Sequence, residues 1–127
     1  MTKSVMVTIV TFALVAGGSA QALPATPAPQ PKVSVTWLSV TALSWAAAAA
    51  DAHSTNVCLA QGRVESNPLL GSRPSRGQVW AFELAMTGAQ TLVSYELRKH
   101  GHRKIGMFIP ALSAGEHTFA AVHNGCW

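Results

Sequence analysis

The chain has 127 residues, 49% hydrophobic and 11% charged, with a net charge of +4 at pH 7. That length holds at most one small domain, and the charged share lies well below the roughly 25% of an average water-soluble chain. Four of the nine basic residues, Arg98, Lys99, Arg103 and Lys104, crowd one short turn with no aromatic residues between them, which argues against a nucleic-acid footprint and reads as an interfacial anchor.

The amino-terminal segment follows the logic of export. Lys3 is a minimal positive region, Val5 to Val15 is an apolar core, and Ala20-Gln21-Ala22 matches the small-x-small cleavage rule. Residues 1–22 are therefore expected to be a signal peptide, or else an uncleaved signal anchor, because Met6 to Leu23 approaches the ~18 residues that span hydrocarbon. Residues 23–32, LPATPAPQPK, carry four prolines and read as an extended spacer.

The body, 33–127, contains three apolar stretches, each with a polar stripe at helical spacing, and predicts helices over about 33–55, 77–97 and 105–123. In the first, Thr41, Ser44, Ala48, Asp51 and Thr55 share one face, beside the small-residue run Ala46 to Ala50 that permits close helix approach. From Asn56 to Arg76 the chain turns polar and glycine- and proline-bearing, which predicts a loop, with Ser75 placed to cap the next helix. The second stretch sets Glu83, Thr87, Gln90 and Ser94 on one face. The third sets Ser113, Glu116, Ala120 and His123 on one face, flanked by His117 and Asn124, and Pro110 is expected to kink or shorten its first turns.

Polar residues are the minority in these stretches, the reverse of a water-soluble amphipathic helix, and they need partners inside a bundle. The expected fold is accordingly all-α, a small helical membrane bundle of about three transmembrane helices following the signal or anchor. A buried alanine-rich helix of a soluble bundle is the other reading of the first stretch. The orientation is in conflict: the positive-inside rule places the basic turn in the cytoplasm, whereas a cleaved signal places it outside.

An up-down-up arrangement brings Asp51, His53, Thr55, Cys58, Glu65, Asn67, His123, Asn124 and Cys126 to one side. The metal-capable candidates are Glu116, His117 and His123, with Asp51 or Glu83 opposite. Their spacing matches no recognised metal signature. His117 and His123 lie roughly 240° apart around a helix and so are poorly placed to share an ion, whereas Glu116 and His123 share a face. Cys58 and Cys126 are a candidate disulfide, and two unpaired buried thiols are the alternative. Sequence signatures of serine hydrolases, zincins, phosphate-binding loops and dinucleotide folds are missing, so catalysis has no specific support and no cofactor is assigned.

Asp51-Ala-His-Ser-Thr55, then Glu65-Ser-Asn67-Pro68-Leu69, then His123-Asn124 resembles small uncharacterised bacterial integral membrane proteins with a D-x-x-[ST]-T and E-x-N-P-L pattern. The resemblance implies a helical protein of the bacterial inner membrane in which Asp51, Thr55, Glu65, Asn67 and Pro68 occupy the motif positions; it implies no reaction. Glu65 and Asn67 are expected to fold the loop back onto the helix end near Asp51 and Thr55. The leading expectation is a structural or interaction role, with the lipid bilayer and another membrane protein or a second copy as partners. The alternatives are an intramembrane metal or ion site serving an enzyme or transporter, and an exported soluble helical protein of the periplasm or the medium.

Overall fold

Three helices make up the computed structural model, which describes residues 33–127: α1 (Val35–Ala60), α2 (Arg76–Lys99) and α3 (Arg103–Asn124). The signal or anchor expected over 1–22 and the proline spacer over 23–32 lie outside the described residues. Among those described the fold is all-α.

Each helix starts where the side chains permit. Ser34 caps α1 by accepting a hydrogen bond from the Trp37 amide at 3.1 Å. Ser75 and Gln78 form a reciprocal capping box on α2: Gln78 Oε1 accepts from the Ser75 amide at 2.7 Å, and Ser75 Oγ accepts from the Gln78 amide at 3.3 Å. The first helix runs five residues beyond the expected end at 55, because no breaker intervenes before Gly62 and because Asn56 and Cys58 are buried on its inner face. Gly62, at φ 84°, turns the chain away.

Pro110 does not interrupt α3, which is continuous through it. A proline at this position supplies no amide proton to the carbonyl four residues back, here that of Gly106. Ser94 of α2 fills the vacancy, its hydroxyl donating to the Gly106 carbonyl while accepting from Trp37 Nε1 of α1 at 2.8 Å. One serine thus joins all three helices. Gly106 makes the approach possible, since a Cβ there would lie 2.7 Å from the Ser94 carbonyl.

The packing is reversed relative to a water-soluble bundle. Thr87, Ser44, Ser54, Ser94 and Ser113 are among the most completely buried side chains, whereas Val35, Leu43, Leu92, Phe108, Phe119 and Val122 are exposed. The small interior side chains let α1 and α3 pack most extensively, with Ser44 and Ser113 hydrogen-bonded across them at 2.9 Å. None of the described helices is long and apolar enough to cross a membrane. The expectation of three transmembrane spans is corrected accordingly: the serines, threonines and Asp51 dilute α1, and in α2 and α3 glycines and charged ends add to the polar stripes.

Candidate metal centre

Three side chains, one from each helix, converge near the middle of the bundle. Asp51 comes from the inner face of α1, Glu83 from the second turn of α2, and His117 from α3. His117 Nδ1 lies 3.0 Å from Asp51 Oδ2 and 3.3 Å from Glu83 Oε2. One ligand atom from each of the three falls within 4.8 Å of the others. All three are largely shielded from solvent, their side chains 12%, 11% and 15% exposed.

The electrostatics of this cluster follow from its stoichiometry. The imidazole Nδ1 carries at most one proton, and it donates that proton to Asp51 Oδ2, since a carboxylate only accepts. Glu83 Oε2 is left buried without a hydrogen-bond donor. Burial pushes the Glu83 carboxyl up from its usual 4.5 to about 7, with the positive His117 pulling the other way and the negative charges of Asp51 and Glu65 adding to the rise. The hydrogen bond to Asp51 raises the His117 imidazole above its ordinary value, against an opposing effect of burial.

Asp51 is itself held by a polar shell at the carboxyl ends of α1 and α3. The Asn124 amide nitrogen stands 3.4 Å from Asp51 Oδ1, 2.9 Å from Ser54 Oγ and 3.1 Å from Thr55 Oγ1. The Asn124 carbonyl accepts from Arg63 Nη1 at 2.8 Å. Cys58 and Cys126 are bonded as a disulfide that ties the residues just after α3 to the last turns of α1.

The E-x-N-P-L segment builds its own turn and does not cap α1. Glu65 Oε1 accepts from the Asn67 amide at 2.8 Å, and Asn67 Oδ1 accepts from the Leu69 amide at 3.0 Å. The last carbonyls of α1 are taken by the backbone amides of Gln61, Gly62 and Arg63, so Glu65 and Asn67 do not satisfy the helix end, although the loop folds back beside Asp51 and Thr55 as expected. Pro68 is exposed. Glu65 and Asn67 do line a cavity of about 290 Å³ whose floor includes Asp51 and Glu83, with Thr55, Phe119, His123 and Asn124 among its walls.

Two expected members of the cluster lie elsewhere. Glu116 is exposed, and His123 is exposed at the cavity rim, its ring stacked on Phe119 at 5.7 Å. The inward face of α3 instead carries Ser113, His117 and Ala121, with Asn124 at its end, sharing Ser113 with the expected stripe but taking the residue after Glu116, Ala120 and His123. No family model, curated protein or solved structure matches this chain.

Proposed function

We propose that the chain binds one divalent transition-metal ion through Asp51 Oδ2, Glu83 Oε2 and His117 Nδ1, leaving a further coordination position directed at the cavity. The observation that carries this reading is the buried, donorless Glu83 Oε2 facing a ring nitrogen whose single proton already serves Asp51. A dication satisfies both carboxylates at once. Ligands about 2.0–2.2 Å from a shared ion stand some 3 to 3.6 Å apart, the range of the two contacts made by His117 Nδ1, and one imidazole with two carboxylates suits zinc, iron or manganese. Three protein ligands and an open position are the pattern of sites that exchange a water or a small ligand.

The test is titration of the chelator-stripped full chain with Co2+, followed through its visible bands. The expected result is one ion per chain, with Asp51→Asn, Glu83→Gln and His117→Ala each weakening binding at least tenfold, in line with the loss of one ligand. No saturable binding, or binding indifferent to all three changes, overturns the reading.

A second reading concerns location, and the reversed packing favours it. Exposed Leu43, Leu92, Phe108, Phe119 and Val122 surround an interior of serine and threonine, so the exterior suits the apolar phase of a bilayer better than water. Association with the inner membrane is the consequence. Recovery of the protein in the pellet after an alkaline carbonate wash supports it, and recovery in the supernatant favours the periplasmic or secreted alternative.

A further inference from the structure

Asn124 is the last residue of α3, and only Gly125, at φ 62°, separates it from Cys126. Phe119, Val122 and His123 around it are exposed, and the final turn of α3 is held by buried Ala121, by the hydrogen bond from Arg63 to the Asn124 backbone carbonyl, by the Asn124 side chain and by the Cys58–Cys126 disulfide, the one covalent tie among them. Helix ends otherwise fray readily. The Asn124 amide reaches Asp51 Oδ1, while the other oxygen of the same carboxylate, Oδ2, faces His117. The amide therefore orients the carboxylate that the metal reading requires.

We propose that the Cys58–Cys126 disulfide is a redox latch on the metal site, acting through Asn124 as a positioning residue. The proposal rests on the metal reading above and adds its regulation. With the latch closed, Asn124 is pinned over Asp51. With it open, the last turn of α3 loosens and Asp51 loses its outer partner. Partners of this kind typically affect metal affinity by about 10- to 100-fold.

The surroundings of the disulfide fit an exchangeable bond. Both cysteines are buried, but Cys58 and Arg63 line a cavity of about 200 Å³ on the loop side, the side from which a reductant would approach Cys58. Arg63 Nη1 lies 3.9 Å from that sulfur, and a guanidinium beside a cysteine stabilises its thiolate. The reductant is a dithiol. One of its thiolates attacks Cys58 Sγ, a mixed disulfide forms, and Cys126 leaves as a thiolate that takes up a proton. The second thiol of the reductant then closes its own disulfide, and Cys58 leaves as a thiolate beside Arg63. Two electrons and one proton pass to the protein, the other proton of the dithiol goes to solvent, and the dithiol ends as a cyclic disulfide.

The experiment is Co2+ titration of the full chain in four forms: wild type, Cys58→Ser/Cys126→Ser, Asn124→Ala, and all three changes together. The serine pair stands in for the open latch without adding thiols that could bind the ion. The expected result is a loss of about tenfold or more in the serine pair and a similar loss in Asn124→Ala, with altered visible bands in both. The triple variant should be no weaker than either. Losses that multiply in the triple variant, or unchanged affinity in the serine pair, overturn the latch while leaving the metal site standing. Absence of Co2+ binding in the wild type overturns the metal reading, and the latch with it. If circular dichroism shows that the serine pair fails to fold, disulfide-bonded Asn124→Ala decides alone: a loss of about tenfold in Co2+ affinity is expected, and an affinity equal to that of the wild type overturns the latch.

Discussion

The imidazole of His117 and the carboxylate of Asp51, 66 positions apart in sequence, meet at 3.0 Å in the interior of the bundle. Their contact draws a proton into the folded state, and the neighbouring Glu83 holds a second one up to a pKa of about 7. Both groups have folded pKa values above their unfolded ones, so the folded chain binds more protons than the unfolded chain. The stability they contribute is present at low pH and is lost as pH rises, between about 4.5 and 7 for Glu83 and through the raised value for His117. The metal-free protein should therefore melt at a lower temperature at pH 8 than at pH 5.5. Glu83→Gln should flatten the part of that dependence below pH 7, as read from thermal melts across the range.

Metal binding should have the opposite dependence on pH. An ion on Nδ1 and Oε2 displaces the protons those atoms hold, and each displaced proton gives about a tenfold gain in affinity per pH unit until the group is deprotonated. Co2+ titrations at pH 6, 7 and 8 should show affinity rising with pH. A flat profile would mean that the ion bypasses Glu83 and His117.

The three-helix junction at Ser94 gives a prediction about stability alone. Ser94→Ala leaves both the Trp37 indole N–H and the Gly106 carbonyl without partners in the interior, at a cost of about 2 kcal/mol or more. Gly106→Ala places a methyl group against the α2 backbone and costs about 1–3 kcal/mol by overpacking. Urea unfolding of each variant measures these losses, and a loss under 0.5 kcal/mol in Ser94→Ala would show that the junction is not a principal tie between the helices.

Much of this arrangement is legible from residue spacing, and the parts that are not have physical reasons. On α1 and α2 the stripe members Thr41, Ser44, Ala48, Asp51 and Glu83, Thr87, Ser94 are buried as their period implies, and Thr55 and Gln90 are half-buried. On α3, both Glu116 at i+3 and His117 at i+4 from Ser113 satisfy helical spacing, and apolar residues lie on either side. Only the packing against α1 selects between the two faces. The link between Pro110, Gly106 and Ser94 is likewise tertiary: the spacing of Pro110 from Gly106 marks a freed carbonyl but not the serine that takes it. The membrane expectation rests on apolar stretches of near-spanning length in which polar residues are the minority, whereas crossing depends on the mean apolarity of a whole helix, which those polar residues reduce. The two cysteines stand 68 positions apart, a separation at which sequence offers no geometry to choose between a bond and two thiols.

An interior lined by alanine, serine and threonine carries a calorimetric signature. The heat-capacity increment of unfolding rises with the apolar area exposed and falls with the polar area. Here the large apolar side chains already face outward in the folded chain, so unfolding in water exposes little further hydrocarbon. The increment should be small for a chain of this length and the free-energy curve correspondingly flat, with cold denaturation displaced to lower temperature. Cohesion of the bundle then rests on directional ties such as Ser44 to Ser113 and Trp37 to Ser94, whose strength changes with the polarity of the medium surrounding the helices.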